Sequence, residues 1–440
     1  METKIVRLGI NGEGIGYYQR KPVFIKGALV DETVEFQVVK QFPTYCEGKL
    51  IKVVNRTKKR VKPLCKHQGK CDACPFMIQT YESQVEEKYN NLVQTLQKYA
   101  NIPAKLVQSV VKNPNPMHYR NQCKLPFVMQ QGKLVNALYL ENSNHTFSID
   151  TCLVHEKELE AMRMQILDIL NRYQLKAYDH KAKLGMRYLV LRHLQGQYQC
   201  TLVTGNDVLD TKLVEELMQL EGMKSLYQSI QTTKNTPDIF GKKMIHLGGS
   251  KFIQFKIQGL IMCLSCQSFF QLNTTQAEKL YSIVKEMVPY NLNSILEVYS
   301  GIGGISLLLH DHAKAIIGIE YIESAVRNAN ENAKRNGLNH VQFIAGDAAE
   351  VATRLLKKQT VDCIVVDPPR SGLDEEMVQT LMNSRAKQIV YVSCNPSTLA
   401  KNLAILTKRY DVIKIVPVDM FSQTQHCESV CLLKLKNRKK

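Results

Sequence analysis

The chain lacks the two sequence features that mark membrane insertion or export. No apolar run is long enough to span a bilayer, and the first residues, METKIVRLGI, lack the apolar core of a signal peptide. We therefore expect a cytoplasmic protein with no membrane partner. In that compartment the 13 cysteines argue against a disulfide framework, which leaves metal binding or chemistry as roles for some of them.

Acidic residues are scarce relative to basic ones. The 440 residues include 58 Lys and Arg but only 40 Asp and Glu, which gives a formal net charge of +18. Such an excess favours a polyanionic partner, RNA or DNA, although a merely solvated basic surface has the same composition. The length exceeds that of one ordinary core and predicts two or three domains. No obligate protein partner is indicated.

Three regions of the chain differ in their patterns. Residues 1–58 hold short apolar runs between turn residues, which predicts a small β-barrel of the oligonucleotide-binding type. Within them begins the segment 49–62, which has seven basic residues and no acid and is a candidate for phosphate contact. Residues 59–270 mix helical and strand-like runs and predict a central α+β domain. In residues 271–440, strand-like runs alternate with helical ones such as 321–336, which predicts a parallel, doubly wound, Rossmann-like α/β sheet.

A Gly-rich turn follows the first strand of the α/β region. The strand SILEVY runs into SGIGG, residues 300–304, and Glu320 ends the next strand, nineteen residues after Gly301. Such a turn lets the backbone approach a ligand, and an acid at that place accepts hydrogen bonds from ribose hydroxyls. The pattern differs from GxGxxG, and Asp347 in AGDAAE is placed to meet an adenine. The sequence therefore favours S-adenosylmethionine over a dinucleotide such as NAD.

The ends of the next two strands carry candidate groups for chemistry. Strand four ends in DPPR, residues 367–370, which is similar to the motif of amino-group methyltransferases except that Arg370 replaces their aromatic ring. Strand five, QIVYVS, ends at Cys394, and ligands of open α/β sheets bind at this edge. If the last strand, SVCLLKL, runs antiparallel, Glu428 just before it faces Cys394 across the cleft.

A thiol and a carboxylate beside a methyl donor suit the methylation of uracil at C5. This carbon becomes nucleophilic when a thiolate adds to C6, and a base must then remove the C5 proton so that the thiolate can leave. Cys394 as nucleophile and Glu428 as proton acceptor meet both needs, whereas nitrogen methylation needs neither group. Cytosine-C5 methylation also uses a cysteine, but that class normally places it after a proline in the strand-four loop, where this chain has Pro369-Arg370.

Five motifs together resemble those of the RNA 5-methyluridine methyltransferases, and the 23S rRNA (uracil-5-)-methyltransferases match best. They are SFFQLN, EVYSGIGGISL, DPPRSGLD, VYVSCNPSTLAKN and PVDMFSQTQHCE, and the N-terminal stretch resembles the RNA-binding TRAM domain of that group. The resemblance implies methylation of 23S rRNA by a class I methyltransferase domain, with Cys394 as nucleophile and Glu428 as proton acceptor. Transfer RNA stays open as an alternative substrate. The resemblance also implies four contacts to S-adenosylmethionine, from Gln271, Tyr299, Glu320 and Asp367.

Two residues depart from the family pattern. Gly304 stands where the family usually has Thr, and Cys427 replaces a small apolar residue before the base. Neither change removes a group that the mechanism needs. The non-enzymatic alternative, an iron–sulfur RNA-binding factor with a vestigial methyltransferase fold, is disfavoured because the groups for cofactor binding and catalysis are retained together.

The stretch PLCKHQGKCDACPFM holds Cys65, Cys71 and Cys74 among Lys, Gly and Asp, a setting that is unusual for core cysteines. Zinc would need a second close pair or a His pair, and the fourth ligand is not evident locally, although His67 is a candidate for one position. The family resemblance implies instead a [4Fe–4S] cluster on these three cysteines and Cys152. Because methyl transfer moves no electron, we expect such a cluster to stabilise the central domain and its RNA surface.

Two further segments resemble parts of the same family and are candidates for RNA contact. Residues 118–122, HYRNQ, combine aromatic, cationic and amide groups that can stack on and hydrogen-bond an extruded base. Residues 191–194, LRHL, are also similar. A surface strand with local hydrogen bonds is the competing interpretation for both segments.

Overall fold

The computed structural model describes residues 1–141, 143–234 and 236–437. The strands of this part form one six-stranded sheet, two seven-stranded sheets and one two-stranded hairpin. No helix within the described residues is both long enough and apolar enough to cross a membrane.

The N-terminal sheet is a small closed β unit, in agreement with the predicted barrel. Its strands are β1 (Glu2–Lys4), β2 (Arg7–Leu8), β3 (Gly14–Tyr18), β4 (Lys21–Ile25), β5 (Thr33–Gln41) and β6 (Cys46–Asn55). They lie in the order β1-β5-β6-β4-β3-β2. The backbone N–H of Tyr17 donates to the Thr3 hydroxyl at 3.0 Å, which brings β1 against β3 and closes the sheet. Alternate side chains of the strands bury a core around Val23, Val34 and Phe36.

The central sheet combines seven strands with two helices, as the predicted α+β domain requires. Its elements are β7 (Gln122–Gln130), β8 (Lys133–Tyr139), β9 (Thr146–Ser148), α2 (Lys157–Arg172), β10 (Met186–Leu194), β11 (Gln197–Thr204), α3 (Thr211–Met218), β12 (Met223–Ile230) and β13 (Lys243–Gly249). The order is β13-β12-β11-β10-β7-β8-β9, and β11 and β12 are its parallel pair. The apolar faces of both helices share a core with the strands. A hairpin of β14 (Phe252–Ile257) and β15 (Leu260–Ser265) follows.

The C-terminal sheet is the predicted doubly wound α/β sheet. Its elements are α4 (Thr274–Met287), β16 (Leu292–Val298), α5 (Gly304–Leu308), β17 (Ala313–Glu320), α6 (Glu323–Arg335), β18 (Val341–Ala345), α7 (Ala348–Lys358), β19 (Cys363–Val366), α8 (Glu375–Asn383), β20 (Gln388–Ser393), α9 (Pro396–Leu406), β21 (Tyr410–Val418) and β22 (Glu428–Leu435). The order is β18-β17-β16-β19-β20-β22-β21. Strands β16 to β20 are parallel, and β22 is antiparallel to both neighbours. The antiparallel last strand is therefore as expected.

One long helix precedes the central sheet in the chain but packs against the C-terminal sheet. Helix α1 (Tyr81–Ala100) begins after Thr80, whose hydroxyl accepts from the backbone N–H of Ser83 at 3.4 Å. Its buried Leu92 and Leu96 pack in the core of the C-terminal sheet, against α9. The predicted boundaries at residues 58 and 270 stay a prediction, and residues 438–440 of the predicted C-terminal domain lie outside the described residues.

Candidate active site

Cys394 and Glu428 lie at the same end of two adjacent strands. Strands β20 and β22 pair antiparallel with Ser393 opposite Ser429. Cys394 directly follows Ser393, and Glu428 directly precedes Ser429, so the register carries both residues to the next position of the pair. The topology thus brings together the two groups that the sequence predicts to do the chemistry.

Burial dominates the electrostatics of these two groups. It raises the pKa of Glu428 to about 8, with a further increase from the charge of Asp367, while the charge of Arg370 lowers it. Burial also raises the pKa of the Cys394 thiol to about 12, the charges of Glu428 and Asp367 add to the shift, and Arg370 opposes it. Arg370 therefore favours the reactive anionic form of both groups.

The loop after β19 supplies a carboxylate and a cation to the same edge. Burial raises the pKa of Asp367 to about 7, and its carboxylate has no hydrogen-bond partner among the described residues. The backbone carbonyl of Arg370 accepts from the Asn395 side-chain amide at 3.1 Å, which ties this loop to the residue after Cys394. Burial and the charge of Arg370 lower the pKa of His426 to about 4, so its imidazole is neutral. The sequence showed Arg370 only as a departure from a motif, and the effect of its charge on Cys394 and Glu428 depends on the fold.

The Gly-rich turn is sharply bent and open on one side. Tyr299, Gly301 and Gly303 have φ values of 67°, 55° and 85°, which is the left-handed region. A side chain at Gly301 would meet nothing within 4 Å. The Glu320 carboxylate accepts the backbone N–H groups of Gly301 and Ile322, both at 2.9 Å, so it fixes the turn. Its remaining lone pairs are free for the predicted ribose contact.

Gln271 and Asp347, two further residues predicted to bind the cofactor, lie before α4 and before α7. Gln271 precedes α4, and the side-chain amide of Asn121 holds its backbone by donating to the Gln271 carbonyl at 3.0 Å. Its own side-chain amide makes no hydrogen bond within the described part of the chain. Asp347 caps α7, where one carboxylate oxygen accepts the N–H groups of Ala349 and Glu350 at 3.0 and 3.1 Å. Capping alone accounts for an aspartate there, and its second oxygen stays available.

Sequence reasoning missed two buried groups that shape the turn. The Glu297 carboxylate accepts from the backbone N–H of Ser306 at 2.8 Å and from its hydroxyl, and burial raises the pKa of Glu297 to about 8. This contact links the end of β16 to α5 across the turn. A side chain at Gly304 would begin 3.2 Å from the Tyr281 hydroxyl. The signal in the sequence was Gly304 itself, because a glycine where the family usually has threonine indicates that another side chain, here Tyr281, occupies the space.

Comparison with known proteins identifies the family. A family model described as tRNA (uracil-5-)-methyltransferase matches residues 80–436. The chain belongs to this family. A TRAM domain model matches residues 1–51, which confirms the prediction for the N-terminal β unit. As a member of this family, the chain is an S-adenosylmethionine-dependent RNA methyltransferase of the uracil-5 type.

Relatives match the chain over nearly its full length, and one solved structure shares its fold. Uncharacterized RNA methyltransferases of Bacillus anthracis and Listeria monocytogenes are 36% and 35% identical, over 98% and 99% of this chain and 96% and 97% of theirs. The crystal structure of a Pyrococcus abyssi tRNA (uracil-54, C5)-methyltransferase with S-adenosyl-L-homocysteine has a TM-score of 0.78 and 24% identity. It covers 98% of this chain and 99% of that one, so the whole fold is shared.

The residues at the sheet edge fit the methyl donor of the family. The open side of Gly301 leaves room for a ligand against the backbone. The side chains of Gln271 and Asp367 have no partner among the described residues, so their polar atoms are free to bind one. A carboxylate near a sulfonium is also favourable because the charges are opposite.

The four cysteines that were predicted as cluster ligands lie near one another. Cys65, Cys74 and Cys152 lie against the same small apolar cluster. Burial raises the pKa of Cys74 to about 12, Arg120 opposes this shift, and the charges of Cys152, Cys71 and Cys65 raise it further. The other three sulfurs are thus within electrostatic reach of Cys74.

The four cysteines offer only thiols as candidate metal ligands. Among the residues that the structure describes, no group of three or more His, Cys, Asp or Glu side chains is placed to hold one metal ion. Ligands of a [4Fe–4S] cluster bind different iron atoms and are spread more widely, and four thiols are its usual set. The cluster and its ligands stay a prediction.

Internal contacts occupy several of the predicted RNA-contacting side chains. Tyr119 is buried, and its hydroxyl donates to the Ser422 carbonyl at 2.8 Å. The Asn121 amide donates to the Gln271 carbonyl and, at 2.9 Å, to the Thr274 hydroxyl. Arg192 of LRHL is buried with three internal acceptors. Structural roles therefore explain these residues.

Proposed function

We propose that the chain methylates C5 of uracil in 23S ribosomal RNA, with Cys394 as nucleophile and Glu428 as proton acceptor. The observation that carries the proposal is the adjacency of these residues at the end of β20 and the start of β22, at the edge where Asp367 and the Gly-rich turn also lie. A thiol and a carboxylate on neighbouring strands can reach C6 and C5 of one pyrimidine ring.

The proposed reaction balances on these two groups. The Cys394 thiolate adds to C6, and the C5=C6 electron pair moves into an enolate over C5, C4 and O4. When bound, S-adenosylmethionine supplies a methyl group on a positively charged sulfonium. After C5 has been methylated, the Glu428 carboxylate takes the C5 proton. The C–H electron pair then restores the C5=C6 bond, and the C6–S bond breaks to return the Cys394 thiolate.

The chain's own residues orient the methyl donor in this proposal. Glu320 contacts the ribose hydroxyls, Asp347 lies at the adenine end, and Asp367 lies near the sulfonium. The residues that complete the proposed binding set are Gln271, Tyr299 and Gly301. Arg370 supports the thiolate of Cys394, because it is the cation that opposes the burial shift.

The RNA substrate has one specific competitor. The four cysteines and the TRAM domain support 23S rRNA by the resemblance given above. The family model bears the name of transfer RNA enzymes, and the related Pyrococcus abyssi structure is that of a tRNA (uracil-54, C5)-methyltransferase. Transfer RNA is therefore the second candidate, and both RNAs present a uracil that must leave its stack to enter a pocket.

Nucleoside mass analysis after reaction with each RNA tests this proposal. Unmodified 23S rRNA and tRNA transcripts are incubated separately with protein and S-adenosylmethionine. We expect 5-methyluridine in 23S rRNA, no product with Cys394→Ala, and normal product with Cys431→Ala, which changes a buried cysteine of β22. Product in tRNA alone would move the substrate to tRNA, and 5-methylcytidine would refute uracil chemistry.

We also propose a [4Fe–4S] cluster on Cys65, Cys71, Cys74 and Cys152. Thiolate ligands at these positions would join the segment 65–74 to the central sheet and so stabilise it. Protein prepared without oxygen should contain about four irons and four sulfides per chain. Cys74→Ser should lower both contents, whereas Cys200→Ser in the core of the central sheet should not. Iron-free folded wild type would refute the cluster.

A further inference from the structure

The loop between β21 and β22 connects the proposed base to helix α1. Residues 419–427 form this loop, and Glu428 follows it directly. We propose that Lys88 of α1 is a positioning residue that sets the place of Glu428 by fixing this loop. The inference rests on the proposed role of Glu428 as proton acceptor.

The central contact is a buried ion pair. Lys88 and Asp419 have side chains that are each 1% exposed, and the Lys88 ammonium donates to the Asp419 carboxylate. The same ammonium donates to the Phe421 carbonyl at 2.9 Å. The second carboxylate oxygen of Asp419 accepts from the hydroxyls of Tyr81, at 2.7 Å, and Ser422, at 2.6 Å. The backbone of Asp419 is held by hydrogen bonds to Val111 and Gln276, both at 3.0 Å, but a buried charge without its partner costs several kcal/mol, so the Asp419 carboxylate depends on the Lys88 ammonium.

A second contact from the same helix face holds the middle of the loop. The side-chain N–H of Gln84 donates to the side-chain carbonyl of Gln423 at 2.9 Å. The backbone N–H of Gln423 donates to the side-chain carbonyl of Gln84, also at 2.9 Å. Positions 81, 84 and 88 lie on one face of a helix, so one rigid element makes all these contacts. Gln423 has φ 69°, an uncommon value for a residue with a side chain, which the surrounding contacts must maintain.

The backbone around Cys394 is held by contacts outside the 419–427 loop. Cys394 lies between β20 and α9, where Asn395 caps α9 by accepting from Ser397 at 3.0 Å. Loss of the Lys88 contact should therefore displace Glu428 while the thiol stays in place. Since small displacements of a general base strongly reduce proton transfer, the removal of the C5 proton should slow and the addition of the thiolate should not.

Lys88→Met tests this separation of steps in the full-length protein. Reaction with ordinary uracil-containing RNA and S-adenosylmethionine should leave a methylated, covalent protein–RNA intermediate that survives denaturation. Release of tritium from RNA with [5-³H]uracil should fall on the order of tenfold or more. Adduct formation with 5-fluorouracil RNA should keep its wild-type rate within about twofold.

Two further variants distinguish the possible failures. Lys98→Met makes the same change at an exposed position of α1 and should behave as wild type in all three assays. Glu428→Gln should accumulate the same intermediate, and if it does not, the proposed role of Glu428 fails. Suppose that Glu428→Gln accumulates the intermediate. The positioning role of Lys88 is then refuted if Lys88→Met slows thiolate addition and proton removal equally, or if it slows neither step.

A folding defect would not leave the inference untested. If Lys88→Met does not fold, Lys88→Met with Asp419→Asn removes both buried charges and should fold. This double variant keeps an amide at residue 419 but loses the ion pair, so it should still accumulate the intermediate. Wild-type turnover by the folded double variant would overturn the proposal.

Discussion

Arg370 is the residue whose charge acts on both proposed catalytic groups. It opposes the rise in the pKa of Cys394 and of Glu428, so both titrate at lower pH than burial alone would allow. Arg370→Gln should raise both pKa values and move the rising limb of the pH–rate profile of methylation to higher pH. Single-turnover rates between about pH 6 and pH 10 measure this shift.

The matched control for Arg370→Gln is a variant that keeps the positive charge at residue 370. Arg370→Lys should retain most of the wild-type profile, although an ammonium differs from a guanidinium in shape. An unshifted rising limb in Arg370→Gln would show that the charge of Arg370 does not govern the titration of the two groups.

Glu428 should also carry a stability cost that depends on pH. Its pKa is raised from 4.5 to about 8, so between these values the native carboxyl keeps a proton that the unfolded chain has lost. The contribution of this group to the free energy of unfolding is therefore fully present below pH 4.5 and is lost as the pH rises through about 8. Glu428→Gln removes this dependence and should be more stable than wild type by on the order of 2 kcal/mol at alkaline pH.

Denaturant unfolding at about pH 5 and about pH 8.5 measures this effect. The difference between Glu428→Gln and wild type should be small at the lower pH and larger at the higher one. An equal difference at both values would contradict the raised pKa.

Functional residues were predictable from the sequence when they stood at the end of a predicted strand. Cys394 follows a strand of an α/β sheet, and Glu428 precedes the last strand, so their meeting was expected once the last strand was taken as antiparallel, as in methyltransferases. Lys88 and Asp419 are 331 positions apart, and nothing local marks either as a buried ion pair. Arg370 was visible, but the effect of its charge depends on loop geometry.

At the scale of elements, the basic segment 49–62 divides into structural and exposed residues. Arg60 binds Glu32 at 2.6 and 2.7 Å, and Lys59 binds Glu86 at 2.7 Å. These two cations therefore have internal partners. The exposed members are Lys49, Lys52, Arg56, Lys58 and Lys62. A count of charges in the sequence cannot make this distinction because the partners lie in the turn before β5 and in α1.

The exposed lysines of this segment should contribute to RNA binding by charge alone. Lys49→Gln, Lys52→Gln and Lys58→Gln together should weaken RNA binding and reduce the slope of log affinity against log salt by about 2 to 3. Titration at several salt concentrations measures the slope. Arg60→Gln should lower stability and leave the slope nearly unchanged, and a wild-type slope in the triple variant would exclude these lysines from the interface.

At the scale of the whole molecule, the order of strands and helices was predictable and the long-range assembly was less so. Alternating apolar runs specified the parallel strands of the C-terminal sheet, because each βαβ unit is local in the chain. The antiparallel last strand was expected only from the strand arrangement of methyltransferases. Helix α1 could not be assigned to the C-terminal core, since its amphipathic pattern fits any apolar surface. Cys152 was expected near the other three cysteines only by resemblance, and the fold places it against the same apolar cluster as Cys65 and Cys74.

Covalent trapping with RNA that contains 5-fluorouracil tests the central claim most directly. Fluorine cannot leave as a cation, so the elimination that releases the enzyme is blocked after methylation. We predict that wild-type protein, S-adenosylmethionine and this RNA form a denaturation-resistant complex whose cross-linked peptide contains Cys394, and that Cys394→Ala forms none. Absence of the complex with wild type, or its persistence in Cys394→Ala, would contradict the account.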